Sequence, residues 1–376
     1  MSARFDEHRT YLLDANRIDA YARALTSVVR EGDVVVDLGA GTGVLGILAL
    51  RAGASRVYAI DEGRMLPVAR AMYAANGAGD RVTFVKGHST AIDLPERAHV
   101  VVADQMGPLG IDAGLTECFA DARARFLVPG GRCVPSRLQL LLAPLSDPEI
   151  AADLDTSSAP DLGVNRDVMR QWASIDMRSR RVREADVFGP EVVAALVELG
   201  EASMSYRLSA TLDIERDGVL NALGAWFRAE LAPSIAISNS PLDSGAIDRA
   251  QCVLPLGPTA VVRGDRLEVV MDARLDADVY RWRATVCAGD GSTKARYDHC
   301  SLDRPLLSAE MLKNLDPQRT PRLDARGQAR LFVLSRCDGA HTQGEIERAL
   351  LESHPRLFPT RARAAGFVAR IVDGDT

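Results

Sequence analysis

Val34-Val35-Val36-Asp37-Leu38-Gly39-Ala40-Gly41-Thr42-Gly43 decides the fold. An apolar, β-branched run delivers a buried strand to three glycines, and Val44–Leu50 then opens a helix. Glycines suit such a turn because the backbone can bend sharply and approach a ligand with no Cβ in the way. The following helix offers unpaired N–H groups and the positive end of its dipole. Gly41-x-Gly43-x-x-Gly46 fits the dinucleotide fingerprint. Asp61 stands 20 residues beyond Gly41, at the end of the next apolar run, where an acid binds ribose hydroxyls. On spacing alone, a nicotinamide dinucleotide remains open as the ligand.

Outward from this turn, apolar runs at Asp33–Leu38, Arg56–Ile60, Val82–Lys86 and His99–Ala103 alternate with helical segments. That alternation predicts a parallel sheet wound with helices. Upstream, Asn16 to Val29 has helical spacing and stops near Gly32. From Leu138 to about Pro305 the texture is one of strands, among them Met204–Ile214, Val219–Glu230, Arg266–Met271 and Val279–Val286. Helical insertions are expected there near 165–172 and 190–199. Asp316–Pro321 reads as a linker. Beyond it the chain is helical again: Asp338-Gly339 signals a turn, and Thr342-Gln343-Gly344-Glu345 has the spacing of a capping box opening Glu345–Glu352. A further helix is expected over Thr360–Val372. The expected class is α/β, with a Rossmann-like domain over residues 1–137. A β-rich, barrel-like substrate domain follows over 138–305, then a small helical domain over 316–376.

The 376 residues are 47% hydrophobic and 26% charged, the balance of a globular rather than a disordered chain. The net charge of -6 argues against nucleic acid as a partner, since phosphate binding needs a basic surface. Only Lys86, Lys294 and Lys313 are lysines among 45 basic residues, which reads as genome composition rather than chemistry. The first residues carry no apolar segment, and the longest apolar stretch, around Leu138 to Leu145, is too short to span a membrane. A cytoplasmic protein with no membrane partner is the expectation. The six cysteines form no CxxC pair and no His cluster accompanies them, so neither a metal site nor a disulfide framework is expected.

Asp37, inside the strand two residues before Gly39, turns the reading of the glycine loop. The pattern Asp-x-Gly-x-Gly-x-Gly resembles the first motif of class I methyltransferases that use S-adenosyl-L-methionine. This resemblance implies that Asp37 helps hold the methionine end of the cofactor, against Gly39, Gly41, Gly43 and Leu45. It implies that Asp61, with Glu62 beside it, holds the ribose. Val85-Lys86-Gly87-His88-Ser89 would then lie at the adenine, and Asp104 would end the fourth strand, where acceptor chemistry is expected.

A tighter resemblance is to the protein arginine methyltransferases. It rests on Gly43-Val44-Leu45-Gly46, Arg51-Ala52-Gly53-Ala54, Val57-Tyr58-Ala59-Ile60-Asp61 and Asp104-Gln105-Met106-Gly107. Ala124-Arg125-Phe126-Leu127-Val128-Pro129-Gly130-Gly131 adds to it, as do His8 and Leu13-Asp14-Ala15-Asn16-Arg17 upstream. Looser matches follow in Val219-Leu220-Asn221-Ala222-Leu223-Gly224-Ala225-Trp226-Phe227, Ser240-Pro241 and Arg249-Ala250-Gln251-Cys252. The likeness covers roughly residues 5 to 300. It implies that Arg17 pairs with the cofactor carboxylate and that His8 belongs to the cofactor site. It also implies dimerisation through a helical arm, for which 165–199 is the candidate segment.

The chain departs from that family at four places. Of the two glutamates that grip an acceptor guanidinium there, the first maps to Asp104, one methylene shorter, and the second to Ala113, with Asp112 adjacent. The family's Thr-His-Trp loop is Ile247-Asp248-Arg249 here, and the tyrosine-bearing first helix is shortened, with Phe5 its remnant. Asp104 is therefore the expected acceptor-steering carboxylate, with Met106, Asp112 and Asp248 as further candidates. An oxygen acceptor needs a base too, for which His8 and His88 are candidates. The helical stretch from Leu331 to Ile346 resembles the winged-helix-like PqqD type of domain, which binds leader peptides of ribosomally made natural products. The expected function is N-methylation of a peptide or protein with S-adenosyl-L-methionine. The alternatives are small-molecule methylation in specialised metabolism and a non-catalytic cofactor-binding module.

Overall fold

All five residues of β1 (Val34–Leu38) are buried, as a strand at the centre of a sheet covered on both faces must be. In the computed structural model, which describes residues 5–154, 176–201, 203–301, 318 and 320–375, β1 pairs in parallel with two strands. On one side lies β2 (Arg56–Asp61) and on the other β4 (Ala98–Ala103). With β3 (Val82–Lys86) and β5 (Leu127–Val134) the order is β3-β2-β1-β4-β5. The chain changes direction of winding between β1 and β4, so their carboxyl ends open the crevice where such sheets bind ligands. Helices α1 (Phe5–Leu13) and α2 (Ala15–Val28) precede the sheet; α3 (Val44–Arg51), α4 (Leu66–Ala75) and α5 (Leu115–Arg125) connect its strands.

The strand-rich region builds two antiparallel sheets. One runs β7 (Arg178–Arg180), β12 (Gln251–Val261), β10 (Gly218–Ala232), β6 (Arg137–Leu145) and β8 (Val192–Glu198), with β11 (Ile235–Ser238) beside β10. The other runs β15 (Thr293–Cys300), β14 (Val279–Cys287), β13 (Arg266–Arg274) and β9 (Ser205–Asp213). β8 lies against β9 and β12 against β15, which makes the arrangement barrel-like. One apolar core runs from Tyr21 and Val36 in the first layer to Phe227 and Trp282 in the barrel.

The helix expected near 190–199 is corrected to a strand: β8 pairs with Arg137–Leu142 of β6. The Ala and Leu of Val192-Val193-Ala194-Ala195-Leu196-Val197-Glu198 favour a helix locally, but an open sheet edge supplies the backbone partners that decide the matter. The other insertion, near 165–172, and half of the linker at Asp316–Pro321 lie outside the described residues.

The chain divides into two compact units, one through Pro305 and one from Leu306. The second contains helices Ala325–Leu334, Gln343–Ser353 and Arg361–Asp375 around Val333, Leu350, Phe367 and Val368. Its capping box is formed: Glu345 N–H donates to Thr342 Oγ1 and Thr342 N–H to Glu345 Oε2 at 2.8 Å. Among the described residues, no helix is long and apolar enough to cross a membrane.

Candidate active site

The glycine loop works as the sequence requires, by left-handed backbone: φ is +63° at Gly39, +53° at Gly41 and +78° at Gly43. Two carboxylates hold it in place. Asp61 accepts from the N–H of Gly41 at 2.8 Å and from that of Gly63 at 2.6 Å. Asp37 accepts from the N–H of Gly46 at 2.9 Å, fastening the first turn of α3 to β1. Asp37 is 1% exposed, and burial pushes its carboxyl up to about 7.

A cleft of about 590 Å³ opens over this loop and reaches the carboxyl end of β4. Asp104 stands at its centre. Arg17 Nε donates to Asp104 Oδ2 at 2.5 Å. Arg249 forks onto both oxygens, at 3.1 Å to Oδ2 and 3.3 Å to Oδ1. Tyr21 donates its hydroxyl to Ala103 O at 2.9 Å and lies 3.4 Å from Asp104 Oδ1. Burial would raise the Asp104 carboxyl, but the two guanidinium groups outweigh it and hold it below the ordinary range. The ring of Tyr11 faces both cations, 5.6 Å from the Arg17 guanidinium and 5.2 Å from that of Arg249. Burial drives the Tyr11 hydroxyl up to about 12, helped by its 2.6 Å hydrogen bond to Glu7.

The loop carrying Arg249 is fixed to the start of α2. Asp14 caps that helix, accepting from the N–H of Arg17 at 3.1 Å, and its other oxygen accepts from the N–H of Asp248 at 2.7 Å. Asn16 donates to Ala246 O at 3.1 Å. From the barrel, the fully buried Asn239 donates to Pro108 O at 2.9 Å and to Ala250 O at 2.8 Å. The segment after β4 and the segment before β12 are thereby held together.

Of the residues expected at the site, His8, Arg17, Gly39, Gly41, Leu45, Asp61, Asp104, Met106 and Asp248 line the cleft. Asp248 is paired with Arg181 at its rim. Asp37 and Gly43 lie behind the loop and shape it from within. Asp112 turns inward, accepting from the N–H of Leu109 at 3.2 Å, and burial raises its carboxyl. It supports its own loop where the sequence suggested an acceptor contact. Glu62 and His88 are exposed, with His88 bonded to Thr90 at 2.7 Å, and the buried Ser89 offers its carbonyl to Arg125. None of these three lines the cleft. Sequence reasoning passed over Tyr11, Tyr21 and the role of Arg249. Only the helical spacing of Tyr11 behind Glu7 hinted at any of them.

Comparisons with known proteins agree with this geometry. The family model for ribosomal protein L11 methyltransferase (PrmA) matches residues 20–136. A probable histone-arginine methyltransferase CARM1 of Oryza sativa subsp. indica is 41% identical over 118 residues, 31% of this chain and 22% of the relative. The match thus spans about a fifth of that relative's length. A probable protein arginine N-methyltransferase 6.1 from the same source is 26% identical over 294 residues, 74% of this chain and 75% of the relative. Among solved structures, protein arginine methyltransferase 10 of Arabidopsis thaliana superposes with a TM-score of 0.69 at 21% identity, over 79% of this chain and 97% of that one. The Trypanosoma brucei PRMT1 enzyme-prozyme heterotetrameric complex with AdoHcy gives 0.72 at 18%, over 79% and 98%. These two likenesses establish the shared fold.

Proposed function

We propose that the chain is an S-adenosyl-L-methionine-dependent methyltransferase on the arginine-methyltransferase plan, acting on an acceptor carried by a peptide or protein. The observation that carries this reading is one cleft in which the glycine loop, Asp61 and Asp104, from the carboxyl ends of β1, β2 and β4, meet Arg17 of α2. The match over residues 20–136 spans the three strand-end elements and supports it. The residues present fit the cofactor. Gly39 and Gly41 allow close backbone approach, Arg17 offers a cation for a carboxylate, and Asp61 stands at the strand end where ribose is held. Bound there, the cofactor supplies an activated methyl group on a sulfonium. The chain's task is to align an acceptor lone pair with that methyl, at about 3–3.5 Å, away from water. Tyr11 and its neighbours on α1 line the cleft together with the segment after β4.

The small helical unit fits the same reading as a docking module for the peptide that bears the acceptor. Titration of the protein with S-adenosyl-L-methionine tests the cofactor assignment. Asp61→Ala is expected to weaken binding about ten- to hundredfold, since charge-assisted bonds to Gly41 and Gly63 are lost. Unchanged affinity would remove the cofactor from this cleft.

A further inference from the structure

Two buried guanidinium groups share one carboxylate in the cleft. Arg17 and Arg249 are 5% and 6% exposed, and both close on the single carboxylate of Asp104. Taking two guanidinium groups out of water is costly unless each finds a negative partner. Arg17 is placed for a cofactor carboxylate, on the reading above. Arg249 has no such use. Its Nε has no hydrogen-bond partner among the described residues, yet the side chain lines the cleft. The other acids nearby are engaged: Glu7 with the Tyr11 hydroxyl, Asp248 with Arg181, and Asp61 with the backbone of its loop. Asp112 is turned to Leu109; burial raises its carboxyl, and the Arg249 charge acts against that rise.

We infer that Arg249 is a specificity-determining residue that receives a carboxylate, and that the methyl acceptor is a carboxylate oxygen of a peptide or protein. This rests on the methyltransferase reading and names its substrate class. The forked hydrogen bonds of Arg249 occupy both oxygens of Asp104, so an incoming cation finds that seat filled by the chain itself. A cationic acceptor would also add a third positive charge around one carboxylate, and a sulfonium beyond it. An anion meets the reverse situation: it is drawn toward the Arg249 guanidinium and toward the positively charged donor.

The chemistry agrees. An ammonium or guanidinium must lose a proton before it can attack, and Asp104, held by two cations, is a poor base. A carboxylate is already deprotonated at neutral pH. One of its oxygen lone pairs forms the O–CH₃ bond as the S–CH₃ bond breaks. That bond's electron pair stays on sulfur, leaving a neutral thioether and a methyl ester. No proton moves.

Two short peptides of equal length test this: one with aspartate, glutamate and a free carboxyl terminus, the other with arginine and an amidated terminus. With S-adenosylhomocysteine present, so that nothing turns over, the acidic peptide is expected to bind at least about tenfold more tightly, the worth of one charge-assisted bond. With S-adenosyl-L-methionine it should gain the mass of one CH₂, and mild alkali should remove it, as for an ester. Arg249→Gln should lower kcat/KM for the acidic peptide at least about tenfold while that for the arginine peptide does not fall with it. Arg249→Lys, which keeps the charge and loses the fork, should fall between the two. Methylation of the arginine peptide by the wild type, an alkali-stable mark, or cofactor binding with no mark on the acidic peptide overturns the proposal. Failure to bind the cofactor at all overturns the reading beneath it, and the proposal with it.

Discussion

Asp104 anchors more of the molecule than a steering group would. Replacing it by asparagine keeps the shape and removes the one negative charge between Arg17 and Arg249, leaving two buried cations facing a neutral amide. Denaturant unfolding should show a loss of about 3–5 kcal/mol. A loss under about 1 kcal/mol, the range of exposed pairs, would mean that water reaches the cluster. Asp37 makes the opposite statement. Its folded pKa of about 7 lies above the unfolded value of about 3.9, so the folded chain holds a proton that the unfolded chain releases. That contribution is whole below the unfolded value and lost as pH rises through 7. The stability of the wild type relative to Asp37→Asn should therefore fall with rising pH across that window, and a pH-independent difference would contradict it. The placement of both aspartates beside the glycine turn and at the strand end was legible in the sequence, because strand ends and glycine turns are local patterns. The role of Arg249 was not legible. Its loop is fixed by bonds of Ala246 and Asp248 to Asn16 and Asp14, far earlier in the chain, and no local spacing encodes them.

At the scale of elements, four of the five parallel strands were legible almost to the residue, β5 being the exception: β3 spans Val82–Lys86 as its apolar run suggests, and the glycine turn leads into α3 at Val44. Buried strands and amphipathic helices write their period into the sequence. The failure at 190–199 has a matching cause, because an edge strand with mixed propensity takes its conformation from the neighbour it pairs with. Packing between elements is where the glycine motif acquires a second meaning. Gly46 has no need of a left-handed backbone, but a Cβ there would lie 2.0 Å from the Tyr73 hydroxyl of α4 and 2.9 Å from Val57 of β2. Tyr73 is fully buried and has nowhere to move. Gly46→Ala should therefore cost about 1–3 kcal/mol by overpacking, read from thermal or chemical unfolding. A neutral outcome would mean that α3 slides on the sheet more easily than its contacts suggest.

At the scale of the whole chain, the two compact units have separate apolar cores, which fits a division of labour between chemistry and capture of a peptide. Removing residues 316–376 is expected to leave cofactor affinity unchanged while KM for a peptide acceptor rises. An unaltered KM would end the docking role. Within the first unit, the change from a parallel sheet to antiparallel strands was legible from texture, but not the joint between its layers, which includes a few long-range hydrogen bonds. Asp14 is the sharpest case: one of its oxygens caps the helix that bears Arg17, and the other grips the loop that bears Arg249. The two arginines therefore cannot adjust independently. Whatever ligand repositions one shifts the energy of the other, and by thermodynamic reciprocity the influence runs equally in both directions. Cofactor and acceptor affinities are linked through a single carboxylate that need touch neither ligand.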